Sequence, residues 1–183
     1  MGVEMGPEHY DKVYASTELY RLHYTESRCY RLWTAVLRFL SVFQAPSILE
    51  IGCGTGQFAH LLWDKGYRNY LGFDFSTQAI QIAKCVCDQS FVVADAREPD
   101  AYAHDYDLVI AVDVLEHVED DFGILGQIAK ETPLIFTLPT FDDPAHVRWF
   151  RHPDEIYERY GHNIGFTGVS FVEPWFACLG EVY

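Results

Sequence analysis

A glycine-rich turn between residues 47 and 58 constrains the fold of this chain most strongly. The segment reads Ser-Ile-Leu-Glu-Ile-Gly-Cys-Gly-Thr-Gly-Gln-Phe. The apolar run before the glycines predicts a buried strand, and the spacing of Phe58, Leu61 and Leu62 after them predicts a helix. Glycine lets the backbone approach a ligand closely, and a helix N-terminus offers free N–H groups. The segment therefore predicts a ligand site where a strand, a tight turn and a helix meet.

The spacing of the glycines separates two classes of cofactor. The dinucleotide fingerprint G-x-G-x-x-G places its third glycine three positions after the second. Here Gly56 follows Gly54 after only two positions, so the third glycine comes one residue early. This spacing disfavours an NAD-dependent oxidoreductase.

Three further features make the resemblance to one family specific. With the acidic Glu50 ahead of it, the turn resembles motif I of the class I methyltransferases that use S-adenosylmethionine. Carboxylates follow the next two predicted strands, at Asp74 and Asp95, and the stretch Val-Leu-Glu-His-Val at 114–118 is similar to one widespread in small-molecule methyltransferases. The resemblance implies S-adenosylmethionine as the cofactor and methyl transfer as the reaction.

The cofactor site is expected at the carboxyl ends of the parallel strands, where ligands bind in open α/β sheets. Asp74, about twenty residues after the turn, is placed to accept both ribose hydroxyls, although it could instead cap the following helix, a role for which Ser76 competes. The resemblance implies that Asp95 and Ala96 contact the adenine ring. The full set of expected cofactor-binding residues is Glu50, Gly52, Cys53, Gly54, Gly56, Asp74, Phe75, Asp95, Ala96 and Asp113.

The predicted fold is a single methyltransferase domain over residues 1–183. Residues 46–183 are expected to form a Rossmann-like, doubly wound α/β sheet, mostly parallel, with a C-terminal antiparallel hairpin and helices on both faces. Residues 1–45 are expected to form a helical lid, since their tyrosines suit a cover that excludes water, although ordinary packing on the sheet is an equal alternative. Within the lid, Gly6-Pro7 is interpreted as a break and residues 1–15 as loosely ordered.

The catalytic candidates are histidines near the ends of the fourth and fifth predicted strands. His117 and His146 could take a proton from an acceptor or orient it, whereas a purely structural histidine is the competing interpretation. Tyr24 from the lid and Trp149 from the loop after the fifth strand are expected to contact the substrate. We expect methyl transfer to oxygen, with nitrogen next and carbon or sulfur behind.

Two other readings stay open at this point. The chain could be a non-catalytic S-adenosylmethionine-binding module, such as an activating partner of another methyltransferase. Asp113, Asp142 and Asp143 lie roughly where metal-dependent catechol methyltransferases hold magnesium, but that family's ligand set ends in an asparagine and its flanking sequence is longer. The sequence therefore predicts no metal ion.

Charge and hydropathy limit the classes of partner. The formal net charge of −14 argues against a nucleic-acid substrate, because such proteins concentrate lysine and arginine. No apolar run is long enough to span a membrane, and the first residues of the sequence show no basic-then-apolar signal. We expect a cytoplasmic protein with a small-molecule substrate and no membrane partner; the sequence gives no indication of oligomeric state.

Overall fold

The computed structural model describes residues 2–183, and within them seven strands form one sheet. The strands are β1 (Ile48–Ile51), β2 (Tyr70–Asp74), β3 (Ser90–Val93), β4 (Leu108–Ala111), β5 (Pro133–Pro139), β6 (Ile164–Val172) and β7 (Trp175–Val182). The helices are α1 (Pro7–Ser16), α2 (Tyr30–Leu40), α3 (Gln57–Asp64), α4 (Thr77–Ala83), α5 (Asp121–Leu125) and α6 (Pro153–Tyr160). Short 3₁₀ turns lie at Glu18–Arg21, Tyr24–Glu26, Pro99–Tyr102 and Leu115–His117.

The strand order is β3-β2-β1-β4-β5-β7-β6. The first five strands in this order are parallel, and β7 pairs antiparallel with both β5 and β6. The chain therefore winds outward from β1 to one edge and then returns to β4, which makes β1 and β4 the point where the strand order reverses. Ligands bind outside the carboxyl ends of the strands at such a point. The mostly parallel sheet with a C-terminal hairpin confirms the predicted fold class.

Apolar side chains alternate between the two faces of the central strands. Ile48 packs in one buried cluster with side chains of α2 and α3, whereas Leu49 and Ile51 pack in a second cluster with side chains of α5 and α6. Strands covered on both faces have near-continuous apolar sequences, as the predicted strands do. Two cores hold the sheet, and the loops at its carboxyl edge are free to carry the site.

The beginning of the chain is more ordered than its sequence predicts. Residues 1–15 were expected to be loose, yet Pro7 occupies the first turn of α1, where its missing N–H costs nothing. None of the α1 side chains is fully buried, and both aromatic and polar contacts hold the helix. The Asp11 carboxylate accepts hydrogen bonds from the Ser76 hydroxyl (2.6 Å) and the Gln78 N–H (3.0 Å) at the start of α4.

Across residues 2–183, every helix is too short or too polar to cross a lipid bilayer.

Candidate functional site

A cavity of about 760 Å³ opens at the carboxyl ends of the parallel strands and is roofed by α1 and the residues around it. It brings together most of the residues that the sequence singled out. Those that line it are Glu50, Gly52, Cys53, Gly54, Asp74, Phe75, Asp95, Ala96, Asp113, His117 and His146.

Gly54 and Gly56 have different roles in the glycine turn. Gly54 has a positive φ of 51°, and its N–H donates to Asp74 Oδ2 at 2.9 Å, so the turn presents backbone directly to the cavity. Gly56 was expected to bind the cofactor but does not line the cavity. A Cβ there would lie 3.0 Å from Ala83 Cβ and from Val86 Cγ2, so this glycine allows α3 to start close against the end of α4.

Asp74 holds the turn between β1 and α3 in place. Its two carboxylate oxygens accept hydrogen bonds from the N–H groups of Gly54 (2.9 Å) and Ser76 (2.8 Å). The cap of α4 is Ser76, whose hydroxyl accepts from the Ala79 N–H at 3.0 Å, so the alternative role for Asp74 falls away. Burial raises the pKa of Asp74 to about 6, because losing water disfavours the charged carboxylate.

Glu50 and Asp95 also have protein partners. The buried Glu50 carboxylate accepts a hydrogen bond from the Tyr70 hydroxyl, and burial raises its pKa to about 8. Asp95 forms a bidentate pair with Arg97, at 2.9 Å from Nε and 2.6 Å from Nη2. Hydrogen bonds from Arg97 hold the pKa of Asp95 below its usual range. Each carboxylate at this end of the cavity is therefore already tied to a donor.

His117 and His146 face each other, with ring centroids 4.9 Å apart. Nδ1 of His117 lies 2.9 Å from the Ala145 carbonyl oxygen, and Nδ1 of His146 lies 3.1 Å from that of Phe141. A carbonyl oxygen can only accept, so each neutral ring carries its hydrogen on Nδ1 and keeps a lone pair on Nε2. Burial lowers the pKa of His117 to about 4, so this ring is neutral near pH 7.

Glu116 is the residue of this region that sequence reasoning did not single out. It is 0% exposed, and neither carboxylate oxygen accepts a hydrogen bond from another residue in the described part of the chain. Burial, with the charge of Asp113 nearby, raises the pKa of Glu116 well above its usual value. The Val-Leu-Glu-His-Val stretch marked this position, but nothing in that pattern indicates a carboxylate without a partner.

Asp113 connects the loop after β4, which carries Glu116 and His117, to strand β5 of the sheet. It has a positive φ of 55°, a conformation that asparagine and aspartate adopt more readily than most residues. Its N–H donates to Thr137 Oγ1 at 2.9 Å, and Cys29 Sγ lies 3.8 Å from its Oδ2.

The N-terminal segment is tied to both ends of the cavity. The Gly2 N–H donates to the His146 carbonyl oxygen at 2.8 Å, while the Thr55 hydroxyl donates to the Tyr20 carbonyl oxygen at 2.6 Å. Between these anchors, the Tyr10 ring packs against Phe75 with centroids 5.4 Å apart. Aromatic side chains from residues before β1 thus form one wall of the cavity.

Two residues expected to contact the substrate lie elsewhere. Tyr24 is buried but does not line the cavity, and its hydroxyl donates to Asp64 Oδ2, in the last residue of α3, at 2.7 Å. Trp149 also does not line the cavity, and its ring packs under the Arg151 guanidinium at 4.6 Å. Each ring therefore has a polar partner outside the cavity lining.

Comparison with known proteins gives one family and one fold. Residues 22–170 match the model of a family described as a methyltransferase domain. A ubiquinone biosynthesis O-methyltransferase of Rhodopseudomonas palustris is 34% identical over 86 residues, which cover 45% of this chain and 34% of the relative. The chain spans about a third of the length of the curated relatives it matches.

Solved structures share the fold at low identity. The N-methyltransferase NodS of Bradyrhizobium japonicum, solved with S-adenosyl-L-homocysteine, superimposes with a TM-score of 0.70 and 18% identity, covering 96% of this chain and 97% of NodS. A SAM-dependent methyltransferase of Anabaena variabilis superimposes with a TM-score of 0.72 and 14% identity, covering 100% and 98%.

Proposed function

This chain belongs to the family of methyltransferase domains, whose methyl donor is S-adenosylmethionine, and we propose that it methylates a hydroxyl oxygen of a small molecule. The observation that carries this proposal is a single cavity lined at one end by the glycine turn and at the other by two histidines, each of which has its Nδ1 beside a backbone carbonyl oxygen. The net charge of −14 supports a small acceptor rather than a nucleic acid.

The donor is proposed to lie along β1, β2 and β3. Asp74 would accept the ribose hydroxyls, because each of its oxygens has a lone pair left beyond its bond to a backbone N–H. Asp95, Ala96 and Phe75 would surround the adenosine, and the segment from Glu50 to Gly54, with Asp113, would surround the sulfonium and amino acid portion.

The acceptor is proposed to lie between the sulfonium and the histidines. His117 and His146 are then the catalytic residues, because their Nε2 atoms accept the hydrogen bond of the acceptor hydroxyl and are the bases closest to its proton. An oxygen lone pair forms the bond to the methyl carbon while the carbon–sulfur bond breaks. The electron pair of the carbon–sulfur bond stays on sulfur, and the hydroxyl proton passes to Nε2 of one of the two histidines.

Residues 2–45 are proposed to act as a lid on a single-domain enzyme. The support is the pair of anchors described above, one from Gly2 to the loop that carries His146 and one from Tyr20 to the glycine turn. Excluding water keeps the sulfonium from other nucleophiles and strengthens the hydrogen bonds inside the cavity.

Oxygen is preferred over nitrogen because the curated relatives are named O-methyltransferases, whereas the likeness to the N-methyltransferase NodS extends to the fold alone. A non-catalytic binding module would have no use for two histidines held in one tautomer beside the donor site. The proposal therefore favours an enzyme.

The test begins with calorimetric titration of S-adenosylmethionine, S-adenosylhomocysteine and NADH. We expect saturable binding of both sulfur compounds and none of NADH, with Gly54→Val as the negative control because a branched side chain at a φ of 51° is strained and fills the cavity. Transfer of a labelled methyl group is then measured to matched phenol and aniline acceptors. Labelling of the aniline alone would contradict the oxygen assignment, and no binding of either sulfur compound would contradict methyl transfer.

A further inference from the structure

We propose that His23, His60 and Asp64 bind Zn²⁺ or a similar transition-metal cation at the protein surface beside α3. His60 and Asp64 belong to α3, and His23 lies directly before the 3₁₀ turn at Tyr24–Glu26. Each of the three residues offers one ligand atom, and these atoms lie within 4.8 Å of one another. None of the three residues lines the cavity, so this site is separate from the proposed donor and acceptor sites.

The first argument is the spacing of the two ligands on α3. Residues four apart on an α-helix lie on the same face, with their Cβ atoms about 5–6 Å apart. His60 and Asp64 have this spacing, and both belong to the same regular helix. Pairs of zinc ligands with the same helical spacing occur in metalloproteases. One cation can therefore reach both side chains without any change in the backbone.

The second argument is that the segment carrying His23 is already held along α3. The side-chain amide of Gln57, at the start of α3, donates to the Leu22 carbonyl oxygen at 2.7 Å. The Tyr24 hydroxyl donates to Asp64 Oδ2 at 2.7 Å, at the end of α3. These bonds lie one residue before and one residue after His23, so the third ligand has a fixed position beside the other two.

The Tyr24 side chain also orients the ligands on α3. Metal-binding carboxylates are commonly hydrogen-bonded by an outer residue, and the Tyr24 hydroxyl makes such a bond to Asp64. This bond raises the pKa of Tyr24 to about 12, so the phenol remains a donor near pH 7. The His60 ring packs edge-on against the Tyr24 ring, with centroids 5.3 Å apart, and its centroid lies 5.0 Å from that of His23.

The His23 ring has a partner that suits either tautomer. Its Nδ1 lies 2.8 Å from the Thr25 hydroxyl oxygen and 3.4 Å from the Thr25 backbone nitrogen. A hydroxyl can accept from Nδ1–H, and the ring then has its lone pair on Nε2. Metal-binding histidines commonly make such a bond through their other ring nitrogen. Binding a cation through Nε2 would therefore give up only the longer contact, to the Thr25 N–H.

The chemistry of the ligands indicates the class of cation. Two imidazoles and one carboxylate favour Zn²⁺, Co²⁺, Ni²⁺ or Fe²⁺ over Mg²⁺ and Ca²⁺, which prefer oxygen ligands. With metal bonds of about 2.1 Å, tetrahedral ligand atoms are separated by about 3.4 Å. His23 and Asp64 are exposed, so their side chains can rotate to that distance. Three protein ligands leave a fourth position for water.

A cation at this site would join the segment before β1 to the core. Tyr20 and Ser27, on either side of His23, line the cavity, so the segment that the cation holds is part of the cavity wall. A cation that binds the folded chain and not the unfolded chain stabilises the fold by mass action. The cation site does not depend on the proposed function, and only its effect on the lid rests on that proposal.

The experiment titrates Co²⁺ into chelator-treated, full-length protein without an affinity tag and records visible absorption and heat. We expect one equivalent to give the absorption of a four- or five-coordinate site. His60→Asn and Asp64→Asn should each weaken the binding of this equivalent about 100-fold or more, because each removes a ligand. The exposed His162→Asn is the control and should bind Co²⁺ as the starting protein does. Unchanged Co²⁺ binding in both ligand variants, or an equal loss in His162→Asn, would overturn the proposal.

Limited proteolysis tests whether the cation holds the segment. Trypsin cleaves after arginine, and the exposed Arg21 and Arg28 lie on either side of His23. Zn²⁺ should slow cleavage at both positions in the starting protein and should have no effect in His60→Asn. Equal slowing in the two proteins would overturn the assignment of the cation to this site.

Titration of S-adenosylhomocysteine in the same samples separates this inference from the proposed function. Donor binding without the Co²⁺ site overturns the cation site and leaves methyl transfer standing. A Co²⁺ site without donor binding overturns methyl transfer alone. Equal urea midpoints of the starting protein and the variants in the presence of a chelator show that the variants are folded.

Discussion

The buried polar side chains at the two ends of the cavity differ in whether they have hydrogen-bond partners. At the end formed by β1, β2 and β3, the carboxylates of Glu50, Asp74 and Asp95 each accept hydrogen bonds from a tyrosine, backbone N–H groups or an arginine. At the end formed by the loops after β4 and β5, Glu116 has no partner among the described residues, and His146 uses one ring nitrogen of two.

Burial alone does not explain this contrast. It raises the pKa of Glu50, Asp74 and Glu116 alike, so carboxylates at both ends are removed from water. What differs is whether the fold supplies a hydrogen-bond donor to the carboxylate. The first end is suited to holding a ligand in one orientation, whereas the second end leaves lone pairs unused, as the proposed acceptor site requires.

The largest expected effect comes from the histidines. His117→Gln and His146→Gln should each lower turnover about 100- to 10,000-fold, because a group that receives or positions the acceptor proton is lost. The dissociation constant of S-adenosylhomocysteine should stay the same, since the donor is proposed to lie at the other end. Calorimetry and a radiolabel transfer assay measure the two quantities, with the exposed His162→Gln as the control. Equal losses of donor affinity and turnover would contradict the assignment of donor and acceptor to separate ends of the cavity.

Asp74→Asn should lower donor affinity more than turnover, which is the reverse of the effect expected for the histidine variants. The amide keeps one acceptor oxygen but turns an NH₂ group toward a backbone N–H, at Gly54 or at Ser76. We expect donor affinity to fall by about 1–3 kcal/mol, which is about 5- to 150-fold. Turnover at saturating donor should change much less. The exposed Asp88→Asn serves as the control, and an unchanged calorimetric affinity in Asp74→Asn would remove the ribose assignment.

Glu50→Met and Glu116→Met should change stability in opposite directions. The first leaves the buried Tyr70 hydroxyl without its acceptor and should lower the free energy of unfolding by about 1–3 kcal/mol. The second removes a buried carboxyl that has no hydrogen-bond partner among residues 2–183, and should raise the free energy of unfolding by a similar amount. Urea denaturation followed by circular dichroism gives both values. If both variants lose the same free energy of unfolding, the Glu116 carboxyl has a hydrogen-bond partner in solution.

The pH dependence of donor binding should follow Asp74. Its pKa is raised to about 6, so the carboxylate is ionised at pH 8 and mostly protonated at pH 5. Ribose hydroxyls donate better to the ionised form, so affinity should fall toward about tenfold per pH unit below pH 6. Calorimetric titrations of S-adenosylhomocysteine between pH 5 and pH 8 measure the profile. Asp74→Asn should be flat across this range, and a slope that persists in the variant would point to another group.

The sequence brought most residues of the proposed donor end to one cavity because that end is built from local patterns. A strand, alternate glycines and a helix follow one another in twelve residues, and a carboxylate directly after a strand must lie at the sheet's carboxyl edge. The class of fold follows from the same alternation of strands and helices, and the structure confirms it. Gly56 is the exception, since its position against Ala83 and Val86 depends on how two helices meet.

The acceptor end depends on contacts that no local pattern encodes. The sequence placed His117 and His146 after neighbouring strands, but the carbonyls that fix their tautomers belong to the loop after β5. Helix α1 was missed because none of its side chains is fully buried and because its contacts, Tyr10 with Phe75 and Asp11 with Ser76, are to residues far along the chain. Tyr24 lies outside the cavity lining for a related reason, since its hydroxyl donates to Asp64, an acceptor that only the folded chain brings near.

Tyr24→Phe gives the smallest expected effect and tests that last point. It removes one hydrogen bond, from the Tyr24 hydroxyl to Asp64, and should lower the free energy of unfolding by about 0.5–1.5 kcal/mol. Donor affinity and turnover should be unchanged, because the ring lies outside the cavity lining. Urea denaturation and the transfer assay measure these, with Tyr20→Phe as a matched change inside the lining. A turnover loss in Tyr24→Phe as large as that in Tyr20→Phe would mean that the lid moves Tyr24 toward the acceptor during the reaction.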